Sequence, residues 1–176
     1  MTDYVTDYVR HAGMVKRYHT WPTIQTQTIG EHSWQVALIY EKLYGPLSPE
    51  VERYIRLHDA AELVVGDPPF PVKSQNPTLK AEYAKAEEKA LEHMDIGPLP
   101  ELSLDIRRQI KICDLLEMTL FGMTEREMGN LLAIPIITRT REAALKLCDR
   151  HDYPLVTAFL AYALARHALV LSQEEE

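Results

Sequence analysis

The chain has 176 residues, 46% of them hydrophobic and 26% charged, with a formal net charge of −7. That length and composition fit one globular domain, 1–176, whose core closes without staples. The acidic balance (pI about 5.5) excludes duplex nucleic acid as the main partner, because such binding needs a basic face that neutralises phosphates.

The hydrophobic pattern is helical nearly throughout, with no alternating strand, which predicts an all-α fold. A first helix is predicted over Asp3–Val15, with Tyr4, Val5, Tyr8 and Val9 as a partial apolar face. Residues 16–29 are polar, threonine-rich and interrupted by Pro22, so they read as an extended loop. Thr28-Ile29-Gly30-Glu31 has capping-box spacing and predicts a helix to Tyr44. Ser48-Pro49-Glu50 starts another, expected to reach about Val64. The run Gly66-Asp67-Pro68-Pro69-Phe70-Pro71 stops it, since proline removes donors and restricts its predecessor. A charged helix follows over Leu79–Met94, its mixed Lys and Glu marking a solvated face. Ser103 opens the next, which carries Asp114 to around Phe121 or Met128. Thr138–Leu147 and Tyr153–Leu171 complete a set of six or seven, expected to pack as one orthogonal bundle.

The longest apolar stretch, Ala158 to Leu171, is interrupted by Arg166 and His167 and reads as a central core helix, with a dimer face as the other use. No apolar run of ~18 residues and no basic-then-apolar leader is present, so the expectation is a soluble cytoplasmic protein with no membrane partner. Cys113 and Cys148 lack metal or redox spacing and, both lying in apolar helical patterns, read as buried free thiols, with a disulfide as the alternative.

Chemistry enters with four side chains in apolar helical surroundings: His32, the neighbours His58 and Asp59, and Asp114. Two imidazoles and two carboxylates suffice to hold a divalent metal ion, whereas the same groups are costly to bury without one. On a helix His58 and Asp59 diverge by about 100°, so they share one ion only where the helix edge faces a cleft. His11, His19, His93, His151 and His167 read as ordinary interior or surface residues.

The pattern resembles the HD-domain metal-dependent phosphohydrolases, and within them the YfbR-like 5'-deoxynucleotidases and the small phage-type (DatZ-like) dATP triphosphohydrolases. The matching segments are Arg17-Tyr18, Gly30-Glu31-His32-Ser33-Trp34-Gln35-Val36-Ala37, His58-Asp59-Ala60-Ala61-Glu62, Gly66 to Lys73, and Asp114-Leu115-Leu116-Glu117. They run from 17 to 117 in the family's order; the final third carries no motif. The resemblance implies a single HD domain and one divalent ion held by His32, His58, Asp59 and Asp114. Mixed imidazole and carboxylate ligands suit Co, Mn or Zn better than Mg.

Glu62, three residues after Asp59, resembles the family's catalytic glutamate, which handles the proton of the attacking water. Asp67, on a stiff turn, resembles the aspartate that positions substrate near the scissile bond. Arg17 has the placement of a phosphate-binding arginine, and its planar fork suits phosphate oxygens. Lys73 is either a phosphate contact or a solvated loop lysine. Where the deoxynucleotidases carry a tryptophan after that arginine, this chain has Tyr18, with Trp21 three residues later. Tyr18, Trp21 and Ile24 either wall the sugar and base or pack under the loop.

The resemblance therefore implies a hydrolase in which water attacks the α-phosphorus of a deoxynucleotide. The leading reading is a dNTP (dATP-type) triphosphohydrolase giving deoxynucleoside plus triphosphate. Lys80, Lys85, Arg107 and Lys111 are its candidate further cations. The alternative is a 5'-deoxynucleotidase acting on dNMPs. A phosphodiesterase or alarmone hydrolase, and a non-catalytic nucleotide sensor, are the readings beyond those. The expected partner is a small-molecule deoxynucleotide, and the resemblance implies a homo-oligomer.

Overall fold

The structure is a computed structural model that describes residues 8, 10–66 and 76–173. Among them the fold is all-α, as predicted. Its helices are α1 (Ile29–Tyr44), α2 (Pro49–Leu57), the single-turn α3 (Glu62–Val65), α4 (Pro77–His93), α5 (Leu104–Glu127), α6 (Ile134–Leu147) and α7 (Asp152–Gln173). Most of the helix predicted over Asp3–Val15 lies outside the described residues; what is described ends in a 3-10 turn, Ala12–Met14.

The predicted caps form. At α1 the box is reciprocal: Thr28 N–H donates to Glu31 Oε2 at 2.7 Å, and Glu31 N–H donates to Thr28 Oγ1 at 3.3 Å. Ser48 Oγ accepts from Val51 N–H at the start of α2, and Ser103 Oγ from Ile106 N–H at the start of α5. α4 begins at Pro77 because Asn76 Oδ1 accepts from Leu79 N–H at 3.0 Å.

The helix expected to run from Ser48 to Val64 does not. It ends at Leu57; His58–Ala61 form a turn, and α3 restarts at Glu62. Bonds from Ala60 N–H to Leu57 O and from Glu62 N–H to Asp59 O, three residues apart, tighten the chain there. His58 and Asp59 thus sit on a turn between helices and not on a helix.

The chain divides into two compact units. The first takes in described residues of 1–22, 26–34 and 48–101. Its core is Ala12, Leu57, Ala60, Ala61, Ala90, Leu91 and Met94, with Leu63, Val65 and Ile96 packed against it. Tyr83 from α4 donates its hydroxyl to Val65 O at 2.7 Å, and Arg53 Nη2 donates to Ile96 O at 2.7 Å. These bonds fasten the end of α3 and the end of α4 around the turn that carries His58.

The second unit takes in 23–25, 35–47 and the described residues of 102–176. α5 is its axis, with Ile112, Cys113 and Leu116 fully buried. α6 packs on α5 where Gly122 leaves no room for a side chain: a Cβ there would lie 2.8 Å from Ile137 Cγ1. Thr119 and Thr140 share a hydroxyl–hydroxyl bond of 2.8 Å at the same interface. Arg108 holds the start of α7 through Asp149 (2.8 Å) and Asp152 (3.1 Å).

α7 corrects another expectation. It is not a central core helix: only Asp152, Val156 and Leu160 along it are buried. The stretch is apolar, but most of it has no covering element within the unit. By length and composition alone it is also long and apolar enough to cross a membrane.

Candidate metal and phosphate site

The turn after α2 and the first turns of α1 bring three predicted ligands together. One ligand atom from each of His32, His58 and Asp59 falls within 4.8 Å of the others. His32 Nε2 is 3.9 Å and His58 Nε2 3.4 Å from the Asp59 carboxylate. The two imidazole rings are 5.8 Å apart, centre to centre. His32 is fully buried, while His58 and Asp59 are partly exposed.

The tautomer of His58 follows from its neighbours. Its Nδ1 is 2.7 Å from the Ile55 carbonyl oxygen. A carbonyl only accepts, so Nδ1 carries a hydrogen, and in the neutral ring the lone pair is on Nε2. That Nε2 is buried and makes no hydrogen bond among the described residues. Tyr54, one helical turn earlier, lies parallel to the ring, with 9° between planes and 6.4 Å between centres. A histidine oriented through one nitrogen with the other bare is the arrangement that metal-binding imidazoles show. The donor set fits a divalent transition ion.

Arg17 belongs to the same place. Its Nη1 donates to Asp59 Oδ2 at 3.0 Å, so a guanidinium lies directly on the ligand cluster. The loop that carries it is closed at its base by backbone pairing: Arg17 N–H to Gln27 O and Ile29 N–H to Val15 O, each 2.9 Å. Tyr18 follows with φ of 55°, a left-handed conformation uncommon for a bulky residue. Its ring lies 5.8 Å from the Arg17 guanidinium carbon. Trp21 N–H donates to Tyr18 O at 2.8 Å, closing a turn that leaves the Trp21 side chain exposed.

Glu62 is buried at the start of α3, and its N–H donates to Asp59 O at 3.0 Å. The tight turn therefore sets it one short step beyond the ligand pair. Asp114 lies in the second unit, buried on α5, with Lys111 ion-paired to its carboxylate one turn earlier. Of the other candidate cations, Lys85 pairs with Glu82 on an exposed face, and Arg107 donates to Leu102 O. Asp67 and Lys73 lie outside the described residues.

Two supporting residues escaped the sequence reading. Tyr54 was detectable in principle, since it precedes His58 by one helical turn. Glu125 was not: its fully buried carboxylate accepts from Ile24 N–H and Gln25 N–H, each at 2.7 Å, across a hundred residues of sequence. Ile24, a candidate for the wall of the sugar and base, is held by its backbone there while its side chain is exposed.

The family model described as 5'-deoxynucleotidase YfbR-like matches residues 5–166. A 5'-deoxynucleotidase of Vibrio parahaemolyticus is 34% identical over 106 residues, 53% of this chain and 54% of that protein. One from Yersinia pestis is 33% identical over 116 residues, 58% of each chain. The chain thus spans a little over half the length of the curated relatives it matches. Among solved structures, the cyanophage S-2L HD phosphohydrolase DatZ, bound to dA and one catalytic Zn2+ ion, superposes with a TM-score of 0.67 at 21% identity. That match covers 92% of this chain and 96% of that one, and shows the shared all-α fold. With nearly its whole length matched by one family model, the chain belongs to the YfbR-like 5'-deoxynucleotidase family.

Proposed function

We propose that this protein is a metal-dependent hydrolase that cleaves the 5' phosphoester of deoxynucleotides by attack of water on the α-phosphorus. The observation that carries the reading is the bare, buried Nε2 of His58, oriented through Nδ1 beside His32, Asp59 and the Arg17 guanidinium. One divalent ion, Co, Mn or Zn in preference to Mg, would be held by His32, His58 and Asp59. Asp114 enters as a further ligand on the strength of the motif. When bound, such an ion polarises a phosphoryl oxygen and makes water acidic enough to attack near neutral pH. The Zn2+ in DatZ supports the choice of metal class.

Glu62 takes the proton of the attacking water. The new P–O bond forms as the bond to the 5' oxygen breaks, and Glu62 hands the proton on to that oxygen, which leaves as the deoxynucleoside hydroxyl. Arg17 presents its guanidinium to phosphate oxygens. Tyr18 and Trp21 border the sugar and base, while Asp67 and Lys73 enter from the sequence alone. The partner is a small-molecule deoxynucleotide, with no duplex nucleic acid or membrane, and the compartment is the cytoplasm.

Two leaving groups fit this chemistry. Release of triphosphate whole from a dNTP, dATP above all, is the leading reading, and the likeness to a dA-bound phosphohydrolase supports the adenine base and the deoxy sugar. Hydrolysis of dNMPs is the second, favoured by the names of the family and of the matched relatives. Both are tested by incubating the protein with each dNMP, dNTP and rNTP plus Mn, Co or Zn and resolving the products. Deoxynucleoside with intact triphosphate establishes the first; deoxynucleoside from monophosphates alone establishes the second. Glu62→Gln is expected to keep the metal and lose at least about a hundredfold in rate. No product from any substrate, with Glu62→Gln indistinguishable from wild type, overturns the enzyme reading.

A further inference from the structure

The shortest of the described α-helices, α3, has the least of its own to hold it in place. It is one turn, Glu62–Val65, and the preceding residue, Ala61, supplies no side-chain cap. A single turn fixes more dihedral angles than its few hydrogen bonds compensate, and the β-branched Val64 and Val65 are weak helix formers. Its far end closes with one backbone bond, Gly66 N–H to Glu62 O at 2.9 Å. Yet this turn carries Glu62, which is buried and tied through its N–H to Asp59 O. Whatever orients α3 orients that carboxylate.

Leu63 and Val65 pack on the core of the first unit. Such contacts hold the turn down without aiming it, because apolar attraction has no direction. A hydrogen bond has one, and Tyr83 of α4 supplies it. Its hydroxyl reaches the carbonyl oxygens of Val65, at 2.7 Å, and of Gly66. Val65 O is among the carbonyls that a helix end leaves without intrahelical partners. Over residues 77–85 of α4, Tyr83 is the one residue that is not exposed. The other end of α4 is anchored separately, by Ala90 and Leu91 in the core and by Arg53 on Ile96 O.

We propose that Tyr83 is a positioning residue for Glu62, acting through α3 and not on the substrate. The inference rests on the reading of Glu62 as the group that takes the proton of the attacking water. In a helix the Cα–Cβ bond tilts towards the N-terminus, so the Glu62 side chain leans towards the turn of His58 and Asp59. The bond to Asp59 O fixes the near end of α3, and Tyr83 fixes the far end. Without the hydroxyl the turn pivots about its near end, and the carboxylate swings with it. Proton transfer needs its partners within about 3 Å, and a displacement of about 1 Å costs up to about a hundredfold in rate.

The test compares wild type with Tyr83→Phe, which keeps the ring and removes the hydroxyl. Amide hydrogen exchange by NMR is expected to speed up about tenfold at Gly66 and to stay unchanged at Ile112 and Leu116 in α5. Calorimetric titration with Zn is expected to give the same affinity within about twofold. With a deoxynucleotide that wild type hydrolyses, kcat is expected to fall about tenfold and KM to hold within about twofold. In a Glu62→Gln background the same substitution is expected to cost less than about twofold, because the effect must pass through Glu62. Unchanged exchange at Gly66 overturns the pin. An unchanged kcat, or an equal loss in both backgrounds, overturns the positioning role and leaves Tyr83 a fastening of α4 alone. A wild type that hydrolyses no deoxynucleotide overturns the hydrolase reading and the catalytic role of Tyr83 with it. Exchange at Gly66 is read without substrate, so that failure is distinct from failure of the pin.

Discussion

At the scale of single residues, function depends on where protons and lone pairs are held. His58 is the clearest case: the Ile55 carbonyl fixes its hydrogen on Nδ1, so the other nitrogen is ready to bind a metal. Arg17 and Asp59 hold each other at 3.0 Å, which keeps the guanidinium where a phosphate would need it. The cysteines show the opposite use of burial. The Cys148 thiol is pushed up to about 11, by burial first and then by the charges of Asp152 and Asp149, and burial raises Cys113 as well. A raised thiol favours the protonated native state, so this contribution is intact below the ordinary thiol range and is lost as pH climbs through it towards about 11. Alkylation of Cys148 by iodoacetamide at pH 8 is accordingly expected to be about a hundredfold slower in the native protein than in urea. Mass spectrometry of the labelled peptide checks it; equal rates would remove the burial argument.

Among the elements, short breaks and pins matter more than long helices. The tight turn His58–Ala61 supplies two neighbouring candidate ligands, each with an atom within 4.8 Å of the other and of His32. Glu125 pins Thr23–Gln25 with two bonds of 2.7 Å, from the N–H groups of Ile24 and Gln25, and accepts a third of 2.7 Å from Asn130 Nδ2. Glu125→Ala strands those donors and leaves a hole, so it is expected to cost about 3 kcal/mol in urea unfolding, and Glu125→Gln clearly less. Equal losses for the two would mean that the paired carboxylate oxygens and not the filled volume hold the segment. Helix starts were readable in the sequence because caps are local: Thr28, Ser48 and Ser103 bond within three residues. The interruption of the helix after Leu57 was not, since no Gly or Pro marks it.

For the whole molecule, the metal is the consequence to test. An ion that binds only the native state adds stability by mass action, about 2.7 kcal/mol at a hundred times its Kd. For a chain of this size that corresponds to a rise of about 5–10 °C in Tm. Differential scanning fluorimetry with Zn or Mn is expected to show the rise in wild type and not in His58→Ala. The same rise in both would place the stabilising ion elsewhere. The apolar length of α7 was legible from composition, but its exposure was not, because hydrophobicity tells that a face seeks cover and not what covers it.

The sequence by itself determined the helical class, most of the helix starts, the free thiols and the identity of the residues to watch, since periodicity, caps and motif spacing act over a few residues. Only the tertiary structure decided that His32, His58, Asp59 and Arg17 converge, which nitrogen of His58 is available, and that α7 is a surface. Those outcomes depend on packing between segments remote in the chain, where no local pattern carries the information. The motif named the candidate ligands, and the turn after α2 brought three of them into a cluster.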